Sequence, residues 1–308
     1  MDANSARIGV IGLGTMGAEM AQHIAAEHAG TGVLVHSRRR ESAADAEAAG
    51  AHWAATPAEI GASCAVVVTV LPDLPELEQV LAGSDGLLAG LTRPTGPAGQ
   101  DRRATPTVLV ICSTSSPGGV RRMAADLEAR TGGLLHCVDA PLSGGREGAT
   151  AATLSIFAGG SAADVATATP ALAPCGRVVH LGPLGAGQVA KACNQLIVAA
   201  TTVALAESAV LAERSGLDLA ALFDILGGGY AGSRLLEVKA DKLTHRDHSP
   251  DSPARLMIKD LQFVLDEAET TGTPDEHVRL LQDLYRQVVG AGLGDLDSTV
   301  VQRYLAER

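Results

Sequence analysis

Aromatic residues are nearly missing from this chain: one Trp, three Tyr and three Phe stand in 308 residues. Its core therefore has to be built from Ala, Val, Leu and Ile. Closely spaced cysteines are missing too. Cys64, Cys112, Cys137, Cys175 and Cys193 are odd in number and scattered, and no C-x-x-C pair occurs. That pattern argues against a zinc site or a disulfide framework and points to free thiols in a reducing cytoplasm, so no bound metal is expected. An excess of positive charge is also lacking. The formal net charge is −11, which disfavours nucleic acid and anionic lipid as partners and requires any anionic ligand to be drawn by a local positive site. Apolar runs such as Ala65 to Leu71 are short and interrupted. None reaches the ~18 to 20 residues of a membrane span, so no membrane partner is expected. Met1 to Ser5 carries no basic segment leading into an apolar one. No signal peptide is expected, and a cytoplasmic location follows.

What is present suffices for a packed protein. Hydrophobic residues make up 46% of the chain and charged ones 19%, and the length suits two domains. Residues 7 to 13 read as a buried strand, Ala18 to His28 as a helix and Val33 to His36 as a second strand. Further strands fit Ala65 to Leu71, Thr107 to Cys112, Leu135 to Asp139, Leu154 to Ala158 and Val178 to Leu181. Helices fit Glu41 to Ala49, Pro75 to Leu81 and Gly118 to Arg130. Such alternation predicts a parallel sheet covered on both faces. Thr92 to Pro106 is a Pro/Gly-rich loop without an expected role. Beyond Pro183 the pattern turns helical. Lys191 to Ala212 contains no Pro or Gly, and helices follow at Leu219 to Leu226, Arg234 to Lys242, Leu256 to Thr270 and Asp275 to Gly290. The expected domains are 1–182 and 183–308.

Gly12-Leu13-Gly14-Thr15-Met16-Gly17 stands between the first strand and the first helix. A G-x-G-x-x-G run alone is weak, and a ligand-free glycine turn is its bland reading. In a strand–helix–strand context it reads as a dinucleotide loop. Gly12 permits the turn, Gly14 admits the pyrophosphate to the backbone, and Gly17 lets the helix close on the sheet. The helix start attracts the phosphates. The fold class is therefore α/β, a Rossmann-type doubly wound sheet followed by an all-α C-terminal domain. The second strand ends in His36-Ser37 and then Arg38-Arg39-Arg40, with no acid at its tip. A hydroxyl followed by guanidinium groups suits a 2′-phosphate, which favours NADP over NAD. A solvated basic helix start is the other reading.

Two later segments suggest a substrate site. Asp139-Ala140-Pro141-Leu142-Ser143-Gly144-Gly145 leaves a strand for a glycine turn, where backbone amides and the Ser143 hydroxyl could trap a carboxylate. The same stretch reads equally as an ordinary tight turn. Lys191, Asn194 and Gln195 are i, i+3 and i+4 on the long apolar helix and share a face. A lysine there is costly unless paired or functional, although a surface lysine at a helix start has the same pattern.

The ordered set Gly12 to Gly17, Leu71-Pro72, Ser113 to Pro117, Asp139 to Gly145, Gly185 to Gln195 and Lys259-Asp260 resembles the β-hydroxyacid dehydrogenase family over nearly the whole chain. This family includes 3-hydroxyisobutyrate dehydrogenase, tartronate semialdehyde reductase and the glyoxylate/succinic semialdehyde reductases. The resemblance implies that Lys191 is the catalytic lysine, giving or taking the proton at the substrate oxygen. It implies that Ser143, Gly144 and Gly145 hold the substrate carboxylate and that Asn194 and Gln195 are the amide pair of the substrate site. Leu71, Pro72 and Thr114 would line the path from adenosine to nicotinamide, with Lys259 near the nicotinamide end. A homodimer or homotetramer is implied as well. One departure stands out: many members carry two asparagines where this chain has Asn194-Gln195.

The activity expected from these readings is hydride transfer between NADP(H) and a small β-hydroxy acid or its aldehyde or keto acid. Lys191 would serve as general acid and base. An imine reductase-like NADPH enzyme is the nearest rival, and Lys191 argues against it because those proteins usually lack that lysine. A non-catalytic dinucleotide-binding module is the rival from another class.

Overall fold

The computed structural model describes residues 7–91 and 105–308. The expectations on residues 1–6 and on most of the 92–106 loop lie outside the described residues. Two compact units, Met1–Lys191 and Ala192–Arg308, divide the chain inside its longest helix.

Among its described residues the first unit carries nine strands: β1 (Ile8–Ile11), β2 (Val33–His36), β3 (His52–Trp53), β4 (Val66–Thr69), β5 (Thr107–Ile111), β6 (Leu135–Asp139), β7 (Leu142–Ser143), β8 (Leu154–Gly159) and β9 (Gly176–Gly182). Its helices are α1 (Thr15–Glu27), α2 (Ala44–Ala48), α3 (Pro57–Ser63), α4 (Leu74–Leu81), α5 (Leu87–Leu91), α6 (Pro117–Thr131), α7 (Gly145–Thr150) and α8 (Ala162–Leu172). The strands lie in the order β3-β2-β1-β4-β5-β6-β8-β7, with β9 on β8.

From β3 to β6 every pairing is parallel. β8, however, runs antiparallel to both β6 and β7, where the sequence predicts a parallel sheet throughout. The chain leaves β6 through β7 and the six-residue α7. That connection contains no full crossover helix, so β8 returns in the opposite sense.

Alternation along the central strands builds two cores. Val66, Val68, Val108 and Val110 face α1 and α8, against Met20, Ile24 and Val165. Val67, Leu109 and Ile111 face α3, α4 and α6, against Ile60, Leu77 and Leu127. Successive residues of a strand point to opposite faces, so Val-rich runs suit strands buried on both sides. Local signals set the helix ends. Ser116 accepts from the Gly119 amide, Pro117 opens α6, and Gly132 closes it at φ +60°.

α9 (Ala186–Arg214) runs from the first unit into the second. By length and composition it could cross a membrane, and half of that apolar stretch is buried inside the protein. This corrects the expectation that no apolar run reaches that length; the helix expected from Lys191 to Ala212 lies inside it. The second unit adds α10 (Leu219–Gly227), α11 (Arg234–Thr244), α12 (Arg255–Thr271), α13 (Glu276–Gly290) and α14 (Val301–Ala306). Its core packs Ala199 and Val203 with Met257, Leu261, Leu281 and the fully buried Tyr285.

A buried ion pair locks the loop before α14. Lys239 Nζ meets Asp297 Oδ2 at 2.9 Å and Asp251 Oδ2 at 3.0 Å. Burial alone would raise the Asp297 carboxyl, but Lys239 and the amides of Thr299 and Ser252 hold it below the usual range. A depressed folded-state pKa stabilises above the unfolded value, about 3.9, and that contribution is lost as pH falls through the folded value. Urea midpoints of the wild type should therefore drop below about pH 4 from this pair. Asp297→Asn should cost about 3 to 5 kcal/mol at pH 7 and lose that part of the acid dependence. A wild-type acid profile retained in Asp297→Asn would assign it elsewhere.

Candidate active site

The glycine loop behaves as three different constraints. Gly12 sits at φ +97°, donates its amide to His36 O at 3.0 Å, and has Val70 O where a Cβ would be. At Gly17 a Cβ would strike the carbonyl of Gly12. Around Gly14 nothing lies within 4 Å of that position. Gly14 caps α1 with no side-chain hydrogen bond, and the first turn holds no acid. The amides of Thr15, Met16 and Gly17 thus form an open cradle for an anion.

A groove of about 830 Å³ runs from this loop past His36, Ser37, Arg38 and Arg39, with Leu71 and Pro72 on its wall. Its residues fit a dinucleotide: an amide cradle, an apolar wall and a cationic rim. Arg38 and Arg39 are exposed there. Arg40 is spent elsewhere. It binds Glu47 through both ends of its guanidinium, at 2.5 and 2.8 Å, and lies 4.8 Å over the Trp53 ring. Trp53 in turn faces the His36 ring at 5.3 Å. Two of the three arginines line the groove, and the third braces the turn behind it.

Asp139 ends β6 fully buried. Its Oδ1 accepts from the Gly185 amide at 2.6 Å and its Oδ2 from the Gln188 amide at 2.7 Å. Burial raises this carboxyl above its ordinary range, and those two amide bonds oppose the rise. The first turn of α9 is thereby pinned to the end of the sheet. Gln188 adds two bonds, from Nε2 to Ser113 O at 2.8 Å and from the Ser115 amide to Oε1 at 3.0 Å. Lys191, buried at 8% exposure, follows Gln188 by one helical turn and projects from the same side.

Thr114 stands between Ser113 and Ser115, whose hydroxyls are buried without a hydrogen-bond partner in the structure. Four residues beyond Asp139, Ser143 pairs in register with Ser155. Gly144 and Gly145 take positive φ values of 130° and 61° and are exposed.

In the second unit, Asn194, Gln195, Lys259 and Asp260 form one network. Gln195 Nε2 donates to Asp260 Oδ2 at 2.5 Å, and Asn194 Nδ2 donates to Gln195 Oε1 at 2.9 Å. Lys259 Nζ lies 3.3 Å from Asp260 Oδ1 and 4.8 Å over the Phe263 ring. The expected residues therefore fall into three groups. Gly12, Leu13, Gly14, Ser37, Arg38, Leu71 and Pro72 line the groove, and Thr15, Met16 and Gly17 continue from it into the first turn of α1. Lys191 lies on α9, pinned to Asp139, Ser143, Gly144 and Gly145 follow Asp139 along the chain, and Thr114 stands between the two residues bonded to Gln188. Asn194, Gln195 and Lys259 gather around Asp260.

Sequence reasoning assigns no role to Asp139, Gln188 or Asp260. Each had a signal: a carboxylate closing an apolar strand, an amide one turn before Lys191, and an acid beside Lys259.

Residues 7–182 match the family described as the NAD binding domain of 6-phosphogluconate dehydrogenase. Residues 185–305 match the family described as the NAD-binding of NADP-dependent 3-hydroxyisobutyrate dehydrogenase. An Arabidopsis thaliana protein named "Probable 3-hydroxyisobutyrate dehydrogenase-like 3, mitochondrial" is 35% identical over 268 residues, 87% of this chain and 79% of its own. The NAD-dependent L-serine dehydrogenase of Pseudomonas aeruginosa is 33% identical over 305 residues, covering 96% and 97% of the two chains. Among solved structures, Mycobacterium tuberculosis 3-hydroxyisobutyrate dehydrogenase with L-serine superposes at a TM-score of 0.79 with 30% identity. That match covers 97% of this chain and 99% of the other.

Replacing Asp139 tests the anchor. In Asp139→Asn one amide donor of α9 faces an NH2 group in place of an oxygen. Loss of a buried partner should cost about 1 to 3 kcal/mol, read as a lower Tm, with dinucleotide affinity kept within about two-fold because the groove is untouched. An unchanged Tm would mean that α9 is held by other contacts.

Proposed function

Because the chain belongs to the β-hydroxyacid dehydrogenase family, we propose that it transfers a hydride between NADP(H) and a small β-hydroxy acid or its semialdehyde, with Lys191 handling the proton. An oxidoreductase on a hydroxyacid, using a nicotinamide dinucleotide, is already what that membership means. The observation that carries the finer reading is the buried Lys191 on a helix start pinned to the sheet.

When bound, the nicotinamide supplies or takes the hydride. The residues of the chain do the rest. The amides of Thr15, Met16 and Gly17 hold the pyrophosphate, and Ser37 with Arg38 holds the 2′-phosphate. Leu71, Pro72 and Thr114 shape the way toward the reacting end, and Lys259 serves the nicotinamide side. Ser143 and the amides of Gly144 and Gly145 bind the substrate carboxylate. In reduction Lys191 Nζ gives a proton to the forming alkoxide. In oxidation it takes the hydroxyl proton. Asn194 and Gln195 form the amide pair at the substrate end. A homodimer or homotetramer belongs to this reading. Ile197 and Leu211, apolar and exposed on α9, are surface that a second copy would cover.

Two measurements test it. Arg38→Ala should weaken NADPH binding at least about ten-fold, roughly the loss of one charge-assisted contact. Arg40→Ala should weaken it much less, since that guanidinium is engaged by Glu47. Equal effects of the two, or a wild-type preference for NADH, would reverse the NADP assignment. The second is NADPH consumption over glyoxylate, succinic, tartronate and methylmalonate semialdehydes, with oxidation of 3-hydroxyisobutyrate alongside. Lys191→Met should lower kcat on the best substrate at least about a hundred-fold, the usual scale for a proton-transfer group. Retention of more than a tenth of kcat would remove Lys191 from that role.

A further inference from the structure

We infer that Gln195 is a positioning residue rather than a substrate ligand: it carries an orientation set by Asp260 to the carboxamide of Asn194. The inference rests on the proposed reaction for its functional consequence and on geometry alone for the relay itself.

The polarity of the network is forced from one end. Asp260 is paired with Lys259 Nζ at 3.3 Å, and a carboxylate in an ion pair only accepts. The Gln195 group 2.5 Å from Asp260 Oδ2 must therefore be the NH2. This fixes which end of the Gln195 amide is oxygen, an assignment that distance alone leaves open. Gln195 Oε1 is then turned to Asn194, which must present its own NH2 at 2.9 Å. Asn194 Oδ1 consequently sits at the far end of its carboxamide, on the side away from Gln195. A residue held that way has the direction of its acceptor fixed.

Gln195 itself is committed at both ends of its amide and is 7% exposed. Lys259 at 3.3 Å from the other oxygen steadies Asp260, so the relay starts from a fixed carboxylate. The length of the side chain matters as well. Asn at position 195 would end about 1.5 Å short, one carbon–carbon bond, and would leave the Asp260 bond unmade from the same backbone position. The Asn-Gln pair is thus a coupled unit in which the longer amide reaches α12 and the shorter one is aimed by it.

Two experiments on the full-length protein decide this. The first is an unfolding cycle with Gln195→Met, Asp260→Leu and the double variant. The relay predicts a coupling of at least about ten-fold in the unfolding equilibrium constant, and additive effects would overturn it. The second reverses the polarity. Gln195→Glu sets two carboxylates together and should lower kcat/KM by at least about fifty-fold. Combined with Asp260→Asn, it restores a donor at 260 and an acceptor at 195, and kcat/KM should return to within about five-fold of wild type. NADPH affinity should stay within about two-fold throughout. If Gln195 touched the substrate, the new carboxylate would repel the substrate's own in the double variant too, and KM would stay high. That result, or a wild-type kcat/KM in Gln195→Met, would overturn the positioning role. The unfolding cycle needs no substrate, so an empty substrate screen counts against the proposed reaction and leaves the relay decided on its own.

Discussion

Asp139 closes a strand with its carboxylate wholly removed from water, a place where ionisation is costly unless donors compensate. The donors are the Gly185 and Gln188 amides, at 2.6 and 2.7 Å, which are orphan groups of the α9 start. Each side of this contact satisfies the other: a helix that would begin with unpaired amides receives a carboxylate, and a buried carboxylate receives two donors. The glycines around it are a consequence. A Cβ at Gly187 would meet Phe157 O and Asp139, and one at Gly159 would meet Asp139 and the amides of Ala186 and Gly187. No larger residue lets the helix come this close.

Charge is arranged with the same economy in the dinucleotide groove. A protein of net charge −11 must create a positive region locally if it is to hold phosphates. It does so with backbone amides at the start of α1 and with Arg38 and Arg39, while Arg40 is neutralised by Glu47. Three consecutive arginines thus divide between the groove and the packing behind it, and this division follows the geometry of the turn after β2. The Trp53 ring between Arg40 and His36 places the only tryptophan of the chain behind that turn.

Features governed by short spacings were legible in the sequence, and features governed by distant pairings were not. The loop Gly12 to Gly17, the run of alternating strands and helices up to β6, and the helices of the second unit follow local rules of turn chemistry and periodicity. The α/β class and the family follow from them. The short β3 and β7, two residues each, and α5, α7 and α14, five or six each, carry too few residues to show a period. The antiparallel return of β8 depends on how the chain leaves β6. The partners of Asp139, Gln188 and Gln195 lie 46 to 75 residues away. Nothing in the neighbourhood of Gln195 announces Asp260, although the residue itself was visible as a departure from the asparagine pair. For Arg40, a neighbour seven positions away, Glu47, decided its role.

α9 converts the Asp139 contact into a placement of side chains. An α-helix turns about 100° and rises 1.5 Å per residue, so a slip of one residue at its start would carry Lys191 to a different face. The bonds from Asp139 and Gln188 forbid that slip, because each engages a named backbone group of the first turn or of the β5 end. Seven residues on from Gln188, two turns and about 10 Å, Gln195 is fixed again, this time by Asp260 of α12. Lys191 lies between these two fastenings, within about a turn of each. In the role proposed for Lys191, a side chain brought to a reacting oxygen tolerates little rotation of its backbone. Fixing the helix on both sides of the lysine restricts that rotation where a single anchor would leave it free.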